Sequence, residues 1–301
     1  MEIKVSVVML TYGHEDYIID AIAGVLSQKF EGMIELLISN DCSPDRTDKV
    51  VKNFLDNIIL PTNIRINYVF HQTNKGILPN LLWCLENSRG KFVAICEGDD
   101  YWTDPNKLQK QINFLNNNSD CNLVYHRVNI LRNNHNLELE DLNSSELEKK
   151  WTIHDLAFQG NLMHTPSVVF RNNLTIPKEL FKGVVGDYPL WFLNAERGKL
   201  GYLPDVMAVY RMWDGSVWSY NKSLLIKIRT WVELLISMRK YSKDSTIKLA
   251  LKQQALRAFK NFGFTGLSLK NKIIFFWLLL KVDKLYAFNL FFSKLFKVTI
   301  K

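Results

Sequence analysis

The chain has 301 residues, of which 47% are hydrophobic and 23% are charged. These values are typical of a globular protein that buries a sizeable core, and they exclude disorder throughout. No apolar run reaches the ~18 residues that a membrane-spanning helix needs. The length predicts one large domain, or one domain with an appendage.

The net charge of +8 is distributed unevenly along the chain. Residues 1–221 carry 21 basic and 27 acidic side chains, a net −6, whereas residues 222–301 carry 17 and 3, a net +14. Such a split predicts an acidic body with a basic tail that meets an anionic surface. Nucleic acid and an anionic membrane leaflet are the candidate partners.

The cysteines and the N-terminus indicate a reducing cytoplasm. The four cysteines form no C-x-x-C pair, so neither a zinc site nor a disulfide framework is indicated. Residues 1–5 lead directly into a strand-like segment and show no signal-peptide pattern. We therefore expect a cytoplasmic protein.

The first ~130 residues alternate strands with helices, which is the pattern of a mostly parallel α/β sheet. Apolar or alternating runs predict strands over residues 4–10, 34–38, 64–70, 91–96 and 123–131. Helical spacing of apolar residues predicts helices over 21–26, 44–55 and 78–85, and a further helix that starts at Asp104-Pro105.

The pattern changes in the second half of the chain. Residues 132–150 are polar and predict a mobile loop or lid. Short strands are predicted over 167–171 and 206–211, with a helix over 188–197 between them. From Leu224 onward the sequence is helical and basic.

An acidic cluster, Glu97-Gly98-Asp99-Asp100, follows the strand over 91–96. Ligands of open α/β sheets bind beyond the carboxyl ends of the strands. Three crowded carboxylates repel one another unless a cation lies among them, and Mg²⁺ and Mn²⁺ prefer carboxylate oxygens and substrate phosphates. The alternative is an acidic turn that caps the helix beginning near Asp104.

Two more turns lie at the same predicted edge of the sheet. Asp41 follows the second strand, and its carboxylate can accept the imide N–H of a uracil or bind a ribose hydroxyl. An Asx turn before Pro44 is the commoner role of such a cluster. After the first strand, Tyr12 can stack on a base and Gly13 relieves the steric limits of the turn. Neither G-x-G-x-x-G nor G-x-x-x-x-G-K-[ST] is present, which argues against a Rossmann dinucleotide site and a P-loop.

Five segments, in order, resemble the motifs of the bacterial family 2 glycosyltransferases over about residues 3–219. They are KVSVVMLTYGHEDYIIDAIAGVLSQ, ELLISNDCSPDRT, NKGILPN, GKFVAICEGDDYWTDPNKLQKQ and GDYPLWFLNAERGKLGYLPDVMAVYR. The resemblance implies the GT-A fold, in which a Rossmann-like nucleotide-binding α/β half is joined to an acceptor half. It also implies transfer of a sugar from a nucleotide-sugar, usually a UDP-sugar, with inversion at the anomeric carbon.

The resemblance implies a set of donor-binding residues. Thr11 and Tyr12 correspond to the place where the first strand meets the nucleotide. Asp41 corresponds to the carboxylate that binds the uracil, and Gly76 lies in the motif NKGILPN. Asp99 corresponds to the residue near the ribose or the donor sugar.

The resemblance also implies the metal ligands and the base. Asp100 corresponds to the metal-binding residue and Glu97 to the first Asp of the D-x-D region, so Mn²⁺ or Mg²⁺ is the expected cofactor. Asp187 corresponds to the catalytic base, although without the resemblance it would be interpreted as a helix N-cap. Trp191 and Trp218 could stack on a sugar, with core packing as the alternative.

The sequence departs from the family pattern at three positions. Asn40 stands where the family has a carboxylate, and Glu97 stands in place of the first Asp of D-x-D. Both are polar substitutions of similar reach. Trp213 stands where many relatives have a histidine that can complete the coordination of the metal. Metal binding would then depend on Asp100 and the diphosphate, with Asp214 as a further candidate, and Trp213 would pack over the site.

The C-terminal segment predicts attachment to a membrane surface. Residues 270–301 hold seven lysines, one aspartate and no arginine, and residues 273–280 are all apolar. Eight apolar residues are too few to span a bilayer but suit an interfacial helix. Each lysine near an anionic leaflet adds ~1 kcal/mol of attraction. The alternative is a helix packed on the catalytic domain or on a dimer partner.

Together these features predict a glycosyltransferase domain over residues 1–220 and a helical basic region over 221–301, held at the inner face of the cell membrane. We expect transfer to a glycan or lipid-linked glycan for a surface polysaccharide. Two alternatives stay open. A sugar-nucleotide nucleotidyltransferase would carry a glycine-rich basic loop after the first strand to grip a triphosphate. A basic-tailed nucleic-acid-binding protein is disfavoured, because bulky apolar residues in the tail favour lipid over a phosphate backbone.

Overall fold

The computed structural model describes residues 2–133, 136–139, 150–215, 223–262 and 268–296. The chain divides into two compact units. The first contains Met1–Thr152, Asn161–Ile176 and Gly186–Ser219; the second contains Ile153–Gly160, Pro177–Val185 and Tyr220–Lys301.

Strands and helices alternate in the first unit, and helices make up most of the second. In chain order the elements are β1 (Ile3–Thr11), α1 (Ile18–Leu26), β2 (Met33–Asn40), α2 (Thr47–Asp56), β3 (Ile64–Phe70), α3 (Ile77–Asn87), β4 (Phe92–Ile95), β5 (Tyr101–Trp102), α4 (Lys107–Asn117), β6 (Cys121–Arg132), β7 (Asn136–Leu139), α5 (Ile153–Gln159), β8 (Val169–Arg171), α6 (Asp187–Arg197), β9 (Lys199–Met212), α7 (Leu224–Tyr241), α8 (Ser245–Phe262), α9 (Leu269–Val282) and α10 (Lys284–Phe296).

A single mixed sheet forms the centre of the first unit. Its order is β3-β2-β1-β4-β8-β6-β9-β5, and β7 pairs with β6. The strands β3, β2, β1 and β4 are parallel. Because β8 is antiparallel to both β4 and β6, the strand β6 runs in the same direction as these four. The five strands expected in the first ~130 residues are therefore all parallel in direction, and the short strands β5 and β8 run the other way.

Apolar runs explain why the central strands lie where they do. All of β2 is buried, as expected for a strand that is covered on both faces. Val5, Val7 and Met9 of β1 pack in one core with Ile22 and Val25 of α1. This rigid sheet fixes the positions of the turns that follow its strands.

One strand is much longer than its sequence pattern predicts. The expected strand over 206–211 is the second part of β9, which begins at Lys199. Pro204 and Asp205 interrupt the alternation, and the pairing of β9 with β6 shifts register at Arg127. Proline inside a run weakens the sequence signal for a strand, which explains the difference.

Helices make up most of the second unit, as expected from Leu224 onward. Phe259 of α8 and Phe275 of α9 pack with ring centres 5.8 Å apart. Lys252 Nζ lies 2.6 Å from Asp283 Oδ2. The other carboxylate oxygen of Asp283 accepts the backbone N–H of Tyr286 (3.0 Å) at the start of α10. Among the described residues, no helix has both the length and the hydropathy needed to cross a membrane.

Two expected features fall outside the described residues for most or all of their length. The expected loop over 132–150 includes residues 140–149, which are not described, but its residues 136–139 form β7. Trp218, a candidate for stacking on a sugar, is not described.

Candidate active site

The carboxyl ends of β1, β2 and β4 bring the predicted turns to one edge of the sheet. Thr11 pairs with Asn40 across β1 and β2, and Val8 pairs with Ile95 across β1 and β4. Because the three strands are parallel, the residues that follow them lie at the same edge, where ligands of such sheets bind.

The acidic loop, residues 97–100, follows β4. Ligand oxygens of Glu97, Asp99 and Asp100 all lie within 4.8 Å of one another. The loop is held by backbone hydrogen bonds, because Asp100 N–H donates to the Glu97 carbonyl (3.0 Å) and Gly98 N–H donates to a carbonyl of β1 (2.8 Å). A Cβ atom at Gly98 would meet neighbouring side chains at 2.8–2.9 Å, so a larger residue at this position would displace them.

Burial and mutual repulsion raise the pKa values of carboxyl groups in this loop. Burial, followed by the charges of Asp99 and Glu97, raises the pKa of Asp100 well above its ordinary value. Burial and the charge of Asp99 raise the pKa of Glu97 to about 8. Without a cation, the loop therefore carries its negative charge at a cost in free energy.

These carboxylates fit a hard divalent cation. Asp100 is 1% exposed, and its Oδ2 atom is buried with no hydrogen-bond partner among the described residues. A cation held by Asp100 and Glu97, with Asp99 beside them, would contact that oxygen and offset the repulsion. Asp214, the further candidate ligand, is not a member of this group of carboxylates.

Arg211, at the end of β9, ties the acidic loop to α1. Its backbone N–H donates to Asp100 Oδ1 (2.8 Å). Its guanidinium group donates to the carbonyl of Asp99 (3.0 Å) and to the carboxylate of Asp20 (2.5 Å). The guanidinium carbon lies 4.4 Å from the ring centre of Tyr101. Sequence reasoning gave Arg211 no role.

Trp213 packs over the acidic loop, as its sequence position suggested, and also binds it. Its indole N–H donates to Asp99 Oδ2 (2.9 Å). Its ring centre lies 5.2 Å from that of Tyr17 and 6.0 Å from that of His14. His14 Nε2 lies 3.8 Å from the same Asp99 oxygen. Trp213 therefore orients Asp99 in addition to covering it.

Asp41 lies at the same edge of the sheet and holds the loop that precedes α3. Its Oδ1 atom accepts the backbone N–H of Lys75 (2.7 Å), and its Oδ2 atom accepts that of Gly76 (2.9 Å). Gly76 has φ of +87°, a conformation that favours glycine. Asp41 and Gly76, both expected to bind the donor, are thus brought together. A carboxylate can accept about four hydrogen bonds, so Asp41 can still accept one from a ligand.

Thr11 and Tyr12 follow β1. Thr11 is 2% exposed, and its hydroxyl oxygen has no hydrogen-bond partner among the described residues. Tyr12 is 48% exposed, so its ring is open to stack on a planar ligand. Gly13 has φ of +72°, and its backbone N–H donates to Ser43 Oγ (3.1 Å). The turns after β1 and β2 are therefore joined.

Asp187 is the first residue of α6 and Gly186 takes the capping position, so Asp187 is not the N-cap that local sequence suggests. Asn161 Nδ2 donates to Asp187 Oδ2 (2.6 Å). Burial raises the pKa of Asp187, against the lowering effects of hydrogen bonds from the backbone of Tyr188 and from Asn161. The charge of Asp187 also raises the pKa of Glu97, after burial and the charge of Asp99.

The segment 161–165 supplies polar side chains that sequence reasoning missed. Thr165 Oγ1 donates to Glu97 Oε2 (3.1 Å). The ring of His164 lies 4.5 Å from that of Tyr210. No local spacing signals these contacts, because the partners are 46 or more residues apart. Trp191, which could have stacked on a sugar, is fully buried and packs in the core instead.

A family comparison defines the class of this protein. The model for Glycosyl transferase family 2 matches residues 6–171, which is more than half of the chain. The chain therefore belongs to glycosyltransferase family 2, as its motifs predicted.

A curated relative supports this membership. The chain is similar to the uncharacterized protein Rv1520 of Mycobacterium tuberculosis (strain ATCC 25618 / H37Rv), with 30% identity over 217 residues. This alignment covers 71% of the chain and 60% of the relative. The chain thus spans about 60% of the length of the first curated relatives that it matches.

Solved structures confirm the fold. S. aureus TarS (residues 1–349), in complex with UDP-GlcNAc, has a TM-score of 0.69 and 15% identity, with 93% of this chain and 80% of that chain covered. The mannosyltransferase PcManGT from Pyrobaculum calidifontis, in complex with GDP-Man and Mn²⁺, has a TM-score of 0.58 and 15% identity, with 94% and 74% covered. At this identity the likeness shows the fold alone, which is the expected GT-A fold with helices at its C-terminus.

Proposed function

We propose that this protein is an inverting, metal-assisted glycosyltransferase that transfers a sugar from a nucleotide-sugar, most simply a UDP-sugar, to a hydroxyl of a glycan or lipid-linked glycan. The observation that carries the proposal is that one short segment contacts both sets of carboxylates in a family 2 chain: Thr165 donates to Glu97 of the acidic loop, and Asn161 donates to Asp187. Family membership favours this function over a nucleotidyltransferase and over a nucleic-acid-binding protein.

The proposed reaction is a single displacement. The acceptor oxygen forms a bond to the anomeric carbon while the bond from that carbon to the diphosphate oxygen breaks. The hydroxyl proton passes to the carboxylate of Asp187, and the nucleoside diphosphate leaves with the electron pair. General base catalysis of this kind contributes roughly 10²–10⁴-fold to the rate.

The leaving diphosphate needs positive charge beside it. A cation held by Asp100 and Glu97 would supply Lewis-acid stabilisation of that charge. Arg211 and Trp213 hold the acidic loop in place through their hydrogen bonds to Asp100 and Asp99. The protein therefore contributes carboxylate oxygens held at fixed positions. Holding their negative charges together costs free energy unless a cation is bound.

The proposed donor site is built from the turns after β1 and β2 and the loop before α3. Asp41 would contact the base, and Tyr12 would stack on it. Thr11, Gly76 and Asp99 would line the nucleotide and the sugar. The binding of UDP-GlcNAc by TarS supports a UDP-sugar as the first donor to test, and the binding of GDP-Man by PcManGT makes a GDP-sugar the comparison.

Calorimetry of the full-length protein tests the donor and the metal together. We expect UDP to bind in the presence of Mn²⁺ and to bind much more weakly in EDTA. A panel of UDP- and GDP-sugars, assayed for transfer or hydrolysis with Mn²⁺, then identifies the donor. Equal UDP affinity with Mn²⁺ and with EDTA would remove the metal from the proposal, and failure of the whole panel would contradict the activity.

The proposal includes attachment to the inner face of the cell membrane through residues 270–301, at the end of the helical region. On α9, Leu269, Ile273 and Trp277 recur every four residues and so share one face. They are 75%, 50% and 62% exposed. Leu285 and Phe288 of α10 are 77% and 47% exposed. Exposed aromatic and aliphatic side chains on a helix are typical of insertion into the headgroup region.

The charge around this exposed face supports an anionic lipid surface. Four lysines are exposed in the described part of the tail: Lys270, Lys272, Lys281 and Lys284. The one acidic residue of that stretch, Asp283, is paired with Lys252 and so does not cancel them. A lipid-linked acceptor is the substrate that such an attachment would bring within reach.

A further inference from the structure

Asn161 holds the proposed base in a defined orientation. Its Nδ2 atom donates to Asp187 Oδ2 at 2.6 Å, which is a short distance for an N–H donor. Its Oδ1 atom accepts the backbone N–H of Met163 at 3.1 Å. A backbone N–H requires an acceptor, so the oxygen of the amide must face Met163 and the NH₂ group must face Asp187.

The surroundings of Asp187 make this contact important. Burial works against the ionised form of the carboxylate of Asp187. The groups that favour the ionised form are the amide of Asn161, the backbone of Tyr188 and the ring of His164.

We propose that Asn161 is a positioning residue of the transfer reaction, whose amide fixes the carboxylate of Asp187 for the acceptor hydroxyl and stabilises its negative charge. This inference rests on the proposed function, because it assigns Asn161 a role through Asp187. It adds a residue that neither the motifs nor the comparisons single out.

An amide suits this role better than a charged donor. A lysine or a protonated histidine at the same distance would form an ion pair with Asp187 and so reduce its ability to take a proton. The neutral amide donates one hydrogen bond and has no proton to give up at ordinary pH. The carboxylate keeps further acceptor sites for the hydroxyl, because two oxygens offer about four lone-pair positions.

The experiment compares Asn161→Ala and Asn161→Asp with the wild-type enzyme, using the full chain and the nucleotide-sugar found active in the donor panel. Loss of a hydrogen bond to an ionised group should lower kcat by about 10- to 100-fold. The affinity for UDP with Mn²⁺ should stay within about twofold of the wild-type value. The acidic limb of the kcat–pH profile should move to higher pH by about one unit in Asn161→Ala, and further in Asn161→Asp, which adds a like charge.

Thr165→Val is the matched comparison, because Thr165 lies in the same segment but donates to Glu97 instead. It should weaken Mn²⁺ binding and leave the acidic limb in place. Circular dichroism and melting curves establish that each variant is folded; the near-isosteric Asn161→Asp covers the case in which Asn161→Ala does not fold.

The outcomes separate this inference from the function on which it rests. A folded Asn161 variant with lower kcat and an unmoved acidic limb has only a structural defect, and this would overturn the inference. The same conclusion holds if both variants keep wild-type kcat. Near-normal turnover of Asp187→Asn would instead remove Asp187 as the base, whatever the Asn161 variants show.

Discussion

Replacing Asp100 by Asn should change stability and metal binding in opposite directions. The substitution keeps the shape of the side chain and removes its charge. Asp100 is 1% exposed, and its Oδ2 atom lacks a hydrogen-bond partner among the described residues. In the metal-free protein this carboxyl group either stays charged among like charges or takes up a proton, and both have a cost.

The size of the effect follows from the contacts of Asp100. Relief of a buried, unpartnered charged oxygen contributes about 1–3 kcal/mol. The hydrogen bond that Asp100 Oδ1 accepts from the backbone of Arg211 persists with an amide oxygen, at a loss of about 1 kcal/mol. The metal-free variant should therefore be more stable by up to about 2 kcal/mol, which raises Tm by up to about 6 °C.

Metal binding should respond in the opposite sense. An amide oxygen is a weaker ligand for a hard cation than a carboxylate. Removing one partner from a buried pair of charges costs about 3–5 kcal/mol. The affinity for Mn²⁺ with UDP should therefore fall by about 10²–10⁴-fold.

Melting curves in EDTA and in Mn²⁺ with UDP measure both effects in one assay. Asp104→Asn is the matched control, because Asp104 lies close in sequence, is paired with Lys110 (2.8 Å) and is not part of the acidic group. It should lower Tm slightly and leave metal binding unchanged. A lower Tm for Asp100→Asn in EDTA would refute the argument that the empty loop is destabilised by its own charges.

Three further predictions address the base, the core and the tail. Asp187→Asn should keep UDP binding and lower kcat by roughly 10²–10⁴-fold; near-normal turnover would contradict the base. Lys107 is fully buried, and burial lowers its pKa from 10.5 to about 7. Between these two pH values the unfolded chain binds more protons than the folded chain. The free energy of unfolding of the wild type should therefore rise with pH in this range, by up to ~1.4 kcal/mol per pH unit. The free energy of unfolding of Lys107→Met, relative to that of the wild type, should therefore fall from pH 7 to pH 10. A difference that stays constant over this range would refute the argument. Ile273→Ser with Trp277→Ser should reduce co-sedimentation with anionic vesicles in high salt, whereas Leu249→Ser, at another exposed apolar residue of the helical unit, should not; equal losses would contradict the proposed face.

The sequence predicts well what depends on local patterns and on strand direction. The strand over 64–70 has the bounds that its alternation predicted. Asp41 and the acidic loop were expected at one edge because parallel strands end on the same side, and the structure places them there. Neither inference needs knowledge of which side chains touch.

The contacts that shape the site could not be predicted in this way. Arg211 binds the loop from 111 residues further along the chain, and Trp213 from 114 residues. Asn161 reaches Asp187 across 26 residues and belongs to a segment without a clear period. Such pairings depend on how β8 and β9 are ordered in the sheet, and hydrophobic periodicity does not specify that order.

Repulsion among the carboxylates of the acidic loop couples the conformation of the loop to the binding of a cation. Glu97, Asp99 and Asp100 are held together by backbone hydrogen bonds and by Arg211, not by attraction among themselves. A cation held by Asp100 and Glu97 would offset the free energy that burial and repulsion cost in the metal-free state. Any substitution that loosens the loop, such as Arg211→Ala, should relieve this repulsion and weaken metal binding at the same time. A folded Arg211→Ala variant with wild-type Mn²⁺ affinity would show that the loop keeps its shape without that support.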